Sequence, residues 1–167
     1  MNRIFLALKA QLNDYDALKS DFSEIIKGRW VDSENLHVTV CFFGNTYGVN
    51  ELLKRLPEVI EEIEPLELTS LGYFSHNNIL YATTTSPKLE KLNSCICSSF
   101  SLPQIKPYIL HVTLMRIKEM KDKKAFNDML SKYEGKSIGT IETTMQLMDS
   151  NLSSDGAKYK CIKRFKL

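Results

Sequence analysis

The chain has 167 residues, 43% of them hydrophobic and 25% charged, with a formal net charge of +2. That is enough apolar material for one full core or two small lobes, while so small a charge says little by itself about nucleic acid. No apolar run approaches the ~20 residues of a transmembrane helix, no signal-peptide pattern opens the chain, and Cys41, Cys95, Cys97 and Cys161 lack the spacing of a zinc site. A membrane role is unsupported, and a cytoplasmic protein with reduced thiols is the simplest expectation.

In chain order, Arg3 to Leu8 reads as a strand, and Asp14 to Lys27 as a helix through the spacing of Tyr15, Leu18, Phe22, Ile25 and Ile26, with Gly28 as its stop. Asp32 to Asn35 is a turn into a strand over Leu36 to Phe43, closed by Gly44-Asn45. A second helix spans Val49 to Glu62, kinked or divided by Pro57. Strands Leu66 to Tyr73 and Ile79 to Thr84 flank a Ser75 to Asn78 turn. A third helix runs from Pro87 to Phe100. After a loop from Pro103 to Pro107 come a strand over Ile109 to Ile117 and a helix over Asp122 to Tyr133. Strands Ser137 to Asn151 and Lys158 to Leu167 close the chain around Ser153 to Gly156. This order is α+β, with helices covering one side of largely antiparallel sheets. No linker rich in Pro, Gly or Ser interrupts it, so residues 1–167 read as one domain of bilobal form.

The most informative feature is a repeated tetrapeptide, His37-Val38-Thr39-Val40 and His111-Val112-Thr113-Leu114, which uses two of the three histidines. In each copy the pleat places His and Thr on the same face of a strand. A lone strand histidine is usually structural. Two copies, with histidines 74 positions apart in a chain of 167, point instead to an internal duplication that places one motif strand in each lobe. Two imidazoles and two hydroxyls across a cleft suit in-line displacement at a phosphodiester without a metal or a nucleophilic side chain. No Cys, Asp or Glu stands at ligand spacing from either histidine, so no metal or other cofactor is called for.

Other features resolve to bland readings. Gly135-Lys136-Ser137 resembles the end of a phosphate-binding loop, but Leu130 stands where its first Gly belongs. His76 reads as an exposed turn residue. The glutamates from Glu51 to Glu67 suit a solvated helix face. The basic residues from Lys158 to Lys166 suit either an outward polar face or the rim of a channel for an RNA backbone.

Together these residues resemble the two-histidine phosphoesterases, and within them the RNA 2′,3′-cyclic phosphodiesterases, also called 2′-5′ RNA ligases. The resemblance rests on Arg3-Ile4-Phe5-Leu6-Ala7-Leu8, on Trp30-Val31, on the segments from Glu34 to Gly44 and from His111 to Ile117, and on Leu147 to Leu152 before the last strand. It implies a bilobal fold of two antiparallel sheets with pseudo-two-fold symmetry about a central cleft, the helices outside. It also implies hydrolysis of an RNA or nucleotide 2′,3′-cyclic phosphate to a 2′-phosphomonoester, with His37 as general acid to the leaving oxygen and His111 as general base for water.

On that analogy Thr39 and Thr113 bind the phosphate oxygens, and Arg116 is a phosphate clamp, with a surface ion pair as its alternative. Phe42 stacks on the base beside the cyclic end or belongs to the core. Strict alternation puts Phe43, not Phe42, on the histidine face, so stacking requires a bulge or a twist at the strand end. The stretch Lys106-Pro107-Tyr108-Ile109-Leu110-His111 departs from relatives that carry a basic residue directly before a Pro-His pair. A monomer acting on RNA or nucleotide ends is the expected form. The competing readings are a 2′-5′ RNA ligase or 2′-5′ oligonucleotide phosphodiesterase using the same histidines, and a non-catalytic module that binds a nucleotide or RNA end.

Overall fold

Strand pairing organises the chain around its two motif segments. The structure, a computed structural model, describes residues 3–165. In them β1 (Arg3–Leu12), α1 (Tyr15–Phe22), β2 (Ile26–Trp30), β3 (His37–Gly44), α2 (Val49–Arg55), β4 (Leu66–Leu68) and β5 (Ser70–Phe74) make the first part. The remainder is β6 (Ile79–Thr83), α3 (Pro87–Ser99), β7 (Val112–Met120), α4 (Lys123–Tyr133), β8 (Gly139–Ser153) and β9 (Gly156–Phe165). The strands pair antiparallel in the order β4-β8-β1-β3-β7-β6-β5, with β9 beside β8 and β2 beside β7.

The two expected sheets are halves of one. The half holding β4, β8, β9, β1 and β3 meets the half holding β7, β2, β6 and β5 through the Val38–Val112 bridge between β3 and β7. Along β1, Ile4, Leu6 and Leu8 enter the main core, while Phe5 and Ala7 are buried on the opposite face. Helix α3 packs on β3, α4 packs on β5, and α1 packs on α4, with Phe22 and Phe126 rings 5.9 Å apart. Asp14, Ser86 and Asp122 cap α1, α3 and α4 by accepting from the amides of Ala17, Leu89 and Ala125, which satisfies donors the helices leave open. No helix among the described residues is long and apolar enough to cross a membrane.

Several element boundaries differ from expectation for tertiary reasons. Helix α1 ends at Phe22, and Ile26 and Lys27 belong to β2. Gly28 is no helix stop: it lies inside β2, where a Cβ would collide with the Arg116 carbonyl of β7. Helix α2 gives way at Leu56 to a 3₁₀ turn through Pro57 and does not continue to Glu62. The segment read as one strand from Leu66 to Tyr73 serves both halves, β4 pairing with β8 and β5 with β6, with a break at Thr69. Strand β7 begins at Val112 rather than Ile109. The last two residues of the expected C-terminal strand lie outside the described residues.

Candidate active site

The Val38 and Val112 side chains are fully buried. Alternation therefore turns their neighbours His37, Thr39, His111 and Thr113 to the opposite face of the sheet. Because Val38 and Val112 are themselves paired, the four polar side chains gather around one point between the two halves. His37 and Thr39 lie at the start of β3, His111 directly precedes β7, and Thr113 is its second residue.

Past the motifs, each strand carries the same irregularity. Ala7 faces Thr39 and Leu6 faces Cys41, so Val40 is an extra residue in β3. Tyr81 faces Thr113 and Leu80 faces Met115, so Leu114 is an extra residue in β7. These bulges occupy equivalent places in the two motifs. Each buries two successive residues, Val40 with Cys41 and Leu114 with Met115, and returns the next one to the histidine face. Those next residues are Phe42 and Arg116. Phe42 is accordingly 47% exposed while Phe43 is 1% exposed and part of the core. The condition for Phe42 to reach the cleft is met, and Arg116 arrives there by the same device.

Both imidazoles are anchored alike. His37 Nδ1 lies 2.7 Å from the Asn35 carbonyl and His111 Nδ1 lies 2.8 Å from the Ile109 carbonyl. A carbonyl only accepts, so Nδ1 carries the proton in each ring and Nε2 is left to exchange one. Aromatic rings fix the planes. Phe5 and Tyr159 each stand 5.2 Å from His37, and Phe74 and Tyr81 stand 5.1 and 5.9 Å from His111. Burial lowers the His37 pKa below the ordinary histidine value; the Asn35 hydrogen bond opposes this and the nearby charge of His111 adds to it. His37 therefore favours its neutral form.

A cleft of about 270 Å³ opens beside this arrangement. His37, Thr39, Phe42, Thr113 and Arg116 all line it, whereas His111 does not. Arg3 also lines the cleft, its guanidinium 5.1 Å from the Phe42 ring centre, and among the described residues no Asp or Glu does. The far wall comes from the β8–β9 hairpin through Ser150, Leu152 and Tyr159. Among the described residues no three His, Cys, Asp or Glu side chains converge to hold a metal ion. His76 is exposed in its turn, and Lys158 and Lys160 flank Tyr159 on the outward face of β9, away from the cleft.

Arg3, Phe5, Phe74, Tyr81, Leu152 and Tyr159 were not legible as site residues. None belongs to a recognisable local motif, and the relation of each to the histidines exists only through pairing between distant segments. The tyrosine hydroxyls show the same long-range dependence: Tyr108 donates to the Thr39 carbonyl at 3.0 Å, and Tyr15 to the Val31 carbonyl at 2.7 Å. Both bonds hold the backbone of residues that line the cleft.

Residues 5–167 match the family described as the AKAP7 2′5′ RNA ligase-like domain. The RNA 2′,3′-cyclic phosphodiesterase of Methanocaldococcus jannaschii is 27% identical, with 98% of this chain and 99% of that protein covered. The protein of the same name from Aquifex aeolicus is also 27% identical, over 91% of this chain and 88% of that one. Among solved structures, Escherichia coli LigT in apo form superposes with a TM-score of 0.71 at 20% identity, covering 98% of this chain and 96% of that chain. LigT has also been crystallised with 3′-AMP.

Proposed function

Since the chain belongs to the AKAP7 2′5′ RNA ligase-like domain family, we propose that it hydrolyses 2′,3′-cyclic phosphates at RNA or nucleotide ends to 2′-phosphomonoesters. Its Methanocaldococcus and Aquifex relatives are named RNA 2′,3′-cyclic phosphodiesterases. The observation that carries the reading is the duplicated arrangement of His37-Thr39 and His111-Thr113 about the Val38–Val112 bridge, each imidazole presenting Nε2 with Nδ1 held by a carbonyl.

In the proposed reaction water attacks phosphorus opposite the 3′ oxygen. His111 takes the proton of the attacking water at Nε2. His37, inside the cleft, gives its Nε2 proton to the departing 3′ oxygen as the P–O3′ bond breaks. Thr39 and Thr113 donate to the non-bridging oxygens, and the Arg116 guanidinium opposes the charge that builds there. The acid must be protonated, whereas burial favours the neutral form of His37. A bound phosphate anion reverses this by raising the His37 pKa, so substrate itself charges the acid. Product release leaves His37 neutral and His111 protonated, and exchange with solvent resets the pair.

Phe42 offers a ring face to the terminal base. Residues 1–167 act in this reading as one bilobal domain. A monomer is sufficient, because one chain supplies both motif strands. A cytoplasmic setting agrees with the four free thiols, two of which, Cys41 and Cys97, lie buried with sulfurs 3.8 Å apart.

The test is incubation with 2′,3′-cyclic nucleotides and with RNA bearing a cyclic end, in buffer containing a chelator, followed by identification of the phosphate position. A 2′-phosphate product is expected. Tight binding without turnover would favour the binding-module alternative, and a 3′-phosphate would require the opposite leaving oxygen.

A further inference from the structure

In the ladder between β2 and β7, Arg29 lies directly opposite Arg116. Paired residues project to the same face, and like charges so placed repel. Neither arginine is relieved by an ion pair among the described residues, where the salt bridge present is Arg55 with Glu51. The Arg29 guanidinium instead donates to the backbone carbonyl of Asp155, at the tip of the β8–β9 hairpin, and lies where a side chain on Gly156 would collide with it. A carbonyl orients the guanidinium without cancelling its charge, and most of its five N–H donors remain free. Two unneutralised arginines side by side, one of them lining the cleft, form a place for an anion. Arg3 adds a third cation at the cleft. A cyclic phosphate carries one negative charge, so the site holds more positive charge than that group alone requires.

Position indicates which anion. With Leu114 bulged out, Arg116 follows Thr113 on the cleft face by one pleat repeat, roughly 7 Å. That is about the step from one phosphate to the next along an extended single strand. On the ribose ring, the base leaves from C1′ and the 5′ chain from C4′, diverging from the edge opposite the 2′ and 3′ oxygens. With the base towards Phe42 on β3, the 5′ chain runs towards β7 and β2.

Resting on the cyclic-phosphate reading above, we infer that Arg29, together with Arg116, binds the phosphodiester on the 5′ side of the terminal nucleotide. Arg29 is thus a specificity-determining residue, and the substrate class is an RNA end of two or more nucleotides rather than a cyclic mononucleotide.

The experiment compares kcat/KM for adenosine 2′,3′-cyclic phosphate and for the adenylyl dinucleotide with the same cyclic end, in wild type, Arg29→Gln and Arg29→Lys. Wild type should prefer the dinucleotide, and Arg29→Gln should lower the dinucleotide-to-mononucleotide ratio by about tenfold, the loss of one charge-assisted contact. Arg29→Lys should restore part of the ratio, and added salt should erode the preference in wild type more than in Arg29→Gln. An unchanged ratio, or an equal loss on both substrates as expected if Arg29 only braces the hairpin, overturns the inference. If wild type turns over neither substrate, the hydrolytic reading fails separately. The second-phosphate contact is then read by titrating the same proteins with 3′-phosphorylated mononucleotide and dinucleotide. A dinucleotide preference lost in Arg29→Gln supports it, and no preference overturns it.

Discussion

Val38 and Val112, the middle residues of the two His-x-Thr motifs, are paired with each other, and both are fully buried. The residues that hold the halves of the sheet together are thus flanked on each side by the His and Thr of their motifs. The spacing of the two imidazoles is therefore tied to this contact. Truncating Val112→Ala should cost roughly 1–3 kcal/mol by lost burial and cavity formation. It should also lower kcat, because the motif strands lose their common reference. Urea midpoints and turnover of a cyclic nucleotide measure both effects; a stability loss with kcat intact would mean that the bridge does not set the site.

Phe42 owes its place to the Val40 bulge and is half exposed. Phe42→Ala should therefore leave stability within about 0.5 kcal/mol, as for surface positions. If the ring stacks on the base, affinity should fall by about 1–3 kcal/mol. The measurement is KM or Kd for a cyclic nucleotide beside a denaturation midpoint. Loss of stability with unchanged affinity would return Phe42 to a packing role.

Much of this arrangement was legible without coordinates, because it is local. The motif strands, the hairpin turns and the capped helices follow from pleat periodicity and turn chemistry within a few residues. Phe42 marks the boundary of that legibility: alternation alone turns it away from the histidines, and a bulge is visible only against the partner strand. Arg116 depends on the matching bulge at Leu114. Ile26 and Gly28 fit a helix and its stop by spacing, yet pairing with β7 makes them a strand, the tertiary contact overriding local preference. Arg29 and Tyr159 carry no local signal at all.

Burial holds His37 towards its neutral form in the folded chain, whereas the unfolded chain protonates it near its reference pKa of ~6.5. Below that pH the unfolded state binds more protons, so stability falls as pH falls, while above it the contribution is fully present and flat. Wild type should lose more stability between about pH 7.5 and 5.5 than His37→Gln, bracketing the ~6.5 reference. Equal losses would show that His37 is not desolvated.

The same direction shapes the rate profile. With His37 as acid and His111 as base, kcat/KM should trace a bell, because one ring must be charged and the other neutral. The alkaline limb of kcat/KM, which reports the free enzyme, should lie at lower pH than that of kcat, which reports the phosphate-bound form in which His37 is easier to protonate. His37→Gln should remove the alkaline limb of the residual activity. Removal of the acidic limb instead would exchange the two roles.

The account stands most directly on turnover of a 2′,3′-cyclic nucleotide by His37→Ala and His111→Ala, each checked for a native fold. Because each histidine carries one leg of acid–base catalysis, each replacement should lower kcat by roughly 10²- to 10⁴-fold. The double variant should be little worse than the poorer single, as expected of groups that act as a unit. Either single variant retaining more than about a tenth of wild-type activity, against that 10²-fold lower bound, would contradict catalysis by the histidine pair.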